Sequence, residues 1–137
     1  GGSPLPGTTH DDRAQRLRQC RPTTLYHCTA MANAQSIISE RQFRAGTGGF
    51  IGPGIYFSRT PYYARRYCQC RTPGLRVVLR CEVKLGSVKE VCKGHPGTGR
   101  ELLDEGCDSY EERDRDSLML PDNRDGQIDM ETVYICE

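Results

Sequence analysis

Three short pieces of this 137-residue chain carry side chains that can do chemistry. The first is Tyr26-His27-Cys28-Thr29. The second is Gly52-Pro53-Gly54-Ile55-Tyr56-Phe57-Ser58, followed by Tyr67, and the third is Asp129-Met130-Glu131-Thr132-Val133-Tyr134. An imidazole can hydrogen-bond a ligand, aromatic rings can stack on a flat one, and a fixed carboxylate can stabilise a developing cation. Singly, each residue has a plainer explanation. A histidine on a strand is usually a satisfied core or surface residue, and a G-x-G before a strand is usually a turn. A tyrosine near a helix end is usually packing, and a glutamate on a terminal strand usually faces solvent.

Periodicity and punctuation predict the elements that position these pieces. Residues 1–9, rich in Gly, Pro and Thr, read as a flexible leader that opens on Gly1-Gly2-Ser3, an expression remnant in type. Residues 11–20 suit a short helix, which sets the expected boundary at a leader over 1–20 and a domain over 21–137. Leu25-Tyr26-His27-Cys28 reads as a short strand. Residues 31–41 read as an amphipathic helix, with Ala34, Ile37, Ile38 and Arg41 at helical spacing. A glycine-rich loop leads to the strand Ile55-Tyr56-Phe57-Ser58, and Pro61 suits the first turn of a helix over 62–68. Residues 75–85 are the strongest strand, β-branched and alternating, and 87–92 and 117–120 are further strands. Residues 128–135 alternate Ile128, Met130, Thr132 and Tyr134 against Asp129, Glu131 and Val133, which predicts a closing strand carrying Glu131. Residues 101–116 are too polar to assign. Short strands with two early helices imply an α+β fold.

In this order and context the three pieces resemble the His–Tyr–Glu signature of the PARP-like ADP-ribosyltransferases. The resemblance covers residues 25–134. Its most specific block is 52–67, where Tyr56 and Tyr67 stand eleven residues apart with a helix start between them. Size, with the Gly94-His95-Pro96 and Gly106-Cys107-Asp108 stretches, is most similar to the small interferon-induced PARP-like proteins of fish. The resemblance implies two packed, mostly antiparallel sheets with a few short helices. It also implies cleavage of the nicotinamide–ribose bond of NAD⁺ and transfer of ADP-ribose, one unit rather than a polymer, to a protein or nucleic-acid acceptor. NAD⁺ would be the co-substrate and no metal would be needed. Because NAD⁺ already carries a cationic leaving group, the help needed is a carboxylate facing oxocarbenium character on the ribose. By resemblance that carboxylate is Glu131. His27 would bond the adenosine ribose with support from Thr29, and Tyr56 and Tyr67 would sandwich the nicotinamide ring. Cys28 stands where the family usually has Gly, whose backbone grips the carboxamide. Ala64 stands where many members have a Ser. With the short loop over 45–54, these departures imply an open, weakly binding pocket. They also keep a second function in view, a catalytically inactive module that binds NAD⁺, ADP-ribose or a protein partner.

Bulk composition narrows the setting. The length fits one domain that can stabilise itself by burial. A formal net charge of +1 removes a global electrostatic case for nucleic acid or membrane. Locally, residues 59–80 hold six arginines and no acid, whereas acids dominate 101–125. That contrast suits either a phosphate-binding surface or two solvated faces that pair with each other. No apolar run is long enough to span a membrane. The eight cysteines permit a disulfide framework, but only Cys68 and Cys70 are closely spaced and no zinc pattern is present, so reduced thiols are the favoured reading. The expected setting is a monomer inside the cell, cytoplasmic or nuclear.

Overall fold

The computed structural model describes residues 5–68, 70, 73–92, 94, 95, 97 and 99–137, so Gly1-Gly2-Ser3 and Pro96 lie outside the described residues. In chain order the elements are α1 (His10–Gln19), β1 (Thr23–Ala30), α2 (Met31–Glu40), β2 (Ile55–Phe57), α3 (Pro61–Arg66) and β3 (Arg76–Val83). Then come β4 (Val88–Val91), α4 (Arg100–Asp104), β5 (Ser109–Glu112), β6 (Ser117–Leu120) and β7 (Tyr134–Ile135), with 3₁₀ turns at Arg113–Arg115 and Met130–Thr132.

The β-branched run of β3 buries Val77, Val78, Leu79, Cys81 and Val83. Buried on both faces, β3 takes the centre of an antiparallel sheet ordered β1-β3-β7. The second sheet is ordered β2-β6-β5-β4, antiparallel except for the parallel pair β4–β5. The fold is α+β with two sheets, as the resemblance implied. In β6 every residue is buried because the two faces meet different cores. Leu118 and Leu120 join the main core with Leu25, Ile37, Phe57 and Leu79, while Met119 joins Ile51, Leu102 and Tyr110 behind the sheet. The sheets touch where Tyr26 and Ser58 exchange two backbone hydrogen bonds of 2.9 Å. This joint sets His27 beside Tyr56 and Phe57.

Local chemistry fixes the helix ends. Thr60 caps α3 by accepting from the Tyr63 N–H, and Pro61 occupies the first turn. The helix stops at Arg66, so Tyr67 is its C-cap residue and lies outside it. Arg41 closes α2 in the left-handed region, at φ 53°. Within the expected leader, α1 carries a capping box of Thr9 and Asp12 and is docked: Arg13 and Leu17 are buried.

The closing strand predicted over 128–135 forms only at its end. Its apolar alternation suited a strand, but the Asp129 side chain accepts from the Glu131 N–H, and the Thr132 hydroxyl donates to the Asp129 carbonyl at 2.9 Å. This side-chain capping bends the backbone into the 3₁₀ turn. Ile128 keeps a single bridge to Val83, and the strand shrinks to Tyr134–Ile135.

Candidate functional site

β1, β2, the loop before β2, and α3 enclose a cleft of about 1070 Å³. That is at the upper end of ordinary ligand pockets. His27, Cys28, Thr29, Tyr56, Ala64 and Tyr67 all line it. The structure therefore brings together six residues that the sequence placed in one site.

His27 stands edge-on to Phe43, with ring centroids 5.2 Å apart, and is tilted against Phe57 at 5.8 Å. Its Nδ1 lies 2.6 Å from the Tyr56 carbonyl oxygen. A carbonyl only accepts, so Nδ1 carries the proton. Burial pushes the imidazole pKa below its ordinary value, and the carbonyl contact opposes this more weakly. The ring is thus neutral, with Nε2 an acceptor. Thr29 is buried, and its hydroxyl oxygen accepts from Asn33 Nδ2 at 2.7 Å.

The Tyr56 hydroxyl accepts from the Ile51 N–H at 2.9 Å and donates to the Gly52 carbonyl. Burial raises the pKa of this phenol. A Cβ at Gly49 would collide with the Tyr56 ring, so only glycine lets the loop pass there. Tyr67 stacks on Tyr63, with centroids 6.0 Å apart and planes 6° from parallel, and has Arg66 and Arg115 each 5.9 Å from its ring centre. Ala64 is buried in the cleft wall.

Glu131 does not join them. It lies in the 3₁₀ turn with its side chain 77% exposed, 3.4 Å from Arg41, and is not among the cleft-lining residues. The late strand that borders the cleft is β6, and its cleft-lining residue is Ser117. Sequence reasoning attached no role to Ser117, nor to Asn33, Arg44 or Arg76 in the cleft wall. The arginine-rich stretch was the one available signal for Arg76. No aspartate or glutamate lines the cleft among the described residues. The acidic stretch over 101–125 instead pairs internally and with cations elsewhere: Asp108 with Arg13 and Arg16, and Glu111 with Arg59.

Across from Ser117 on β5 is Glu112, and opposite residues of an antiparallel pair share a sheet face. Glu112 is 1% exposed. One carboxylate oxygen accepts from the Asp114 N–H at 3.2 Å, and the other is buried without a hydrogen-bond partner among the described residues.

All eight cysteines are free thiols. Among the described residues no group of three or more His, Cys, Asp or Glu is arranged to hold a metal ion. No helix there is long and apolar enough to cross a membrane.

The cleft is lined by aromatic rings, a neutral imidazole acceptor and the two cations Arg44 and Arg76, with no carboxylate among the described residues. That lining suits an anionic ligand that carries a flat ring. A search of curated proteins gives no match to the chain. The family model of the poly(ADP-ribose) polymerase (PARP) catalytic domain matches residues 8–126, a span that takes in α1 and ends before Glu131. Most of the chain is covered, and it belongs to the PARP catalytic-domain family of ADP-ribosyltransferases, whose domains use NAD⁺ as substrate.

Proposed function

We propose that the cleft binds NAD⁺ or ADP-ribose and that the chain acts as a receptor for that ligand rather than as a fast transferase. Tyr56 and Tyr67 would hold the nicotinamide, with the backbone of Cys28 at the carboxamide, and His27 Nε2 would accept from the adenosine ribose. One observation carries the receptor reading: no described carboxylate lines the cleft, and Ser117 occupies the cleft-lining position of β6. Cleavage of NAD⁺ develops positive charge on the ribose. Loss of a preorganised charge that opposes it costs about 10²–10³ in rate.

The second reading is mono-ADP-ribosyl transfer to a protein or nucleic-acid side group. The observation in its favour is Glu112, a buried carboxylate beside Ser117 with one oxygen unpartnered among the described residues. Incubation with NAD⁺, followed by nicotinamide release and intact-mass spectrometry, separates the two. The receptor reading expects ADP-ribose to raise the melting temperature with no nicotinamide released and no mass added. Transfer through Glu112 expects single ADP-ribose steps that Glu112→Gln removes and Glu131→Gln leaves intact. Loss of release in Glu131→Gln alone would return the catalytic role to Glu131.

A further inference from the structure

Two cysteines meet in the wall of the cleft. Cys28 belongs to β1, and Cys68 follows Tyr67 at the end of α3. The Cys68 Sγ lies 3.3 Å from the Cys28 carbonyl oxygen, and both residues are half-buried and line the cleft. We propose that Cys28 and Cys68 form a redox-active dithiol, which a hydroperoxide converts to a disulfide that shuts the nicotinamide end of the cleft.

The Cys68 Sγ–H donates to the Cys28 carbonyl, which holds the end of α3 against β1. The two thiols act directly on each other: Cys28 as hydrogen-bond partner holds the Cys68 pKa below the ordinary thiol value, and Cys68 in turn pushes Cys28 above it. The Cys70 N–H, Arg76 and Arg65 also favour the Cys68 thiolate. In the proposal Cys68, in the loop after α3, is the attacking sulfur and Cys28, held in β1, the resolving one. Cys70 is the third cysteine of the cleft wall. Cys81 is fully buried with its thiol pushed up to about 12, and Cys107 accepts a hydrogen bond from the Ser87 hydroxyl outside the cleft.

In the first step the Cys68 thiolate attacks the terminal peroxide oxygen. An S–O bond forms, the O–O bond breaks, and the departing alkoxide or hydroxide takes up a proton. Cys68 is then a sulfenic acid. In the second step Cys28 sulfur attacks Cys68 sulfur; an S–S bond forms, the S–O bond breaks, and the leaving hydroxide combines with the Cys28 proton as water. The pair gives up two electrons and the peroxide accepts them. An external dithiol reverses the reaction by exchange. Because Cys28 stands beside His27, the disulfide would tie α3 to β1 where the carboxamide is expected. This consequence rests on the NAD⁺ reading; the disulfide itself does not.

The test uses the full chain, reduced and then titrated with hydrogen peroxide. The expected product has lost two hydrogens, and its non-reduced peptide map joins Cys28 to Cys68. Cys28→Ser should instead leave a Cys68 sulfenic acid that dimedone traps. On the reduced wild type, iodoacetamide should label Cys68 before the other seven thiols, a measurement that needs no variant. Benzamide affinity should fall about tenfold or more on oxidation and return with dithiothreitol. A map that joins other cysteines, or no dithiol oxidation at all, overturns the proposal. A Cys28–Cys68 disulfide that leaves benzamide affinity unchanged overturns the closure. If the disulfide forms but the reduced protein binds neither benzamide nor NAD⁺, the ligand reading fails and the thiol pair stands.

Discussion

At the scale of residues, local spacing made half of the site legible and hid the other half. Tyr56 and Tyr67 sit in one strand–helix stretch that a short motif encodes, and His27 is set beside Tyr56 where the two sheets join. Glu131 was legible as a residue type but not as a position, because its placement depended on whether Asp129 capped a turn or continued a strand. Ser117 carried no signal, since a serine on an apolar strand marks a site only once the fold shows what the strand borders. The neutral state of His27 yields a prediction. If Nε2 must accept from a ribose hydroxyl, ADP-ribose affinity needs the unprotonated ring. Burial places the folded pKa below the ordinary value of about 6.5. Affinity should therefore stay flat as pH falls through 6.5 and drop only at lower pH, and His27→Ala should remove that dependence. Calorimetry across the pH range checks this, and a midpoint at or above the ordinary value would refute it. Ala64 supplies a gain-of-function test. Buried in the cleft wall, Ala64→Ser would offer a hydroxyl to the nicotinamide carboxamide, worth about 1 kcal/mol, or roughly fivefold in benzamide affinity. A ligand without the carboxamide should show no change. Equal gains for both ligands would mean that the ring binds elsewhere.

At the scale of elements, strands and helices with a strong internal signal formed close to where the sequence predicted them. The β-branched run of β3, the helical spacing of α2, and Pro61 of α3 each specify structure locally. The polar stretch over 101–116 was unreadable because α4 and β5 are held by contacts far along the chain: Lys89 binds Glu101 and Glu105, and Arg59 binds Glu111. The close pairing of β2 and β6 rests on one small residue. A Cβ at Gly54 would strike the Met119 side chain and lie 2.8 Å from the Leu120 carbonyl oxygen. Gly54→Ala should therefore force the strands apart and cost about 1–3 kcal/mol by overpacking. The strain acts on the strand that carries Tyr56, so benzamide affinity should fall as well. Urea unfolding and a benzamide titration read the two effects, and an unchanged unfolding midpoint would show that β6 yields without cost.

At the scale of the whole molecule, the cleft exists only because two sheets are held at a fixed joint, and part of the clamp comes from the segment that composition read as a leader. Arg13 of α1 bonds Asp108 at 2.6 Å, Gln127 at 2.6 Å and Asp125 at 2.9 Å, while Arg16 bonds both oxygens of Asp108 at 2.9 Å. Asp108 is buried and also accepts from the Ser87 N–H at 2.8 Å. Burial alone would raise its pKa, but Arg16, the Ser87 N–H and Arg13 outweigh it, so the folded carboxyl lies below the ordinary value. A depressed carboxyl contributes stability above its unfolded pKa of about 4, and that contribution is lost as pH falls through the folded value. Removing residues 1–20 takes away Arg13, Arg16 and Leu17 and leaves Asp108 buried without its cations. Breaking a buried pair from one side typically costs about 3–5 kcal/mol, a large part of a total stability of about 5–15 kcal/mol. Removing only residues 1–7 spares α1 and the whole family match, and should cost far less. Urea unfolding near pH 7 should thus give 21–137 a much lower midpoint than 8–137. The gap should narrow as pH falls below about 4, where the Asp108 contribution to the longer chain begins to fade. Equal midpoints at neutral pH would mean that α1 is an appendage after all, and that the two sheets keep the cleft without it.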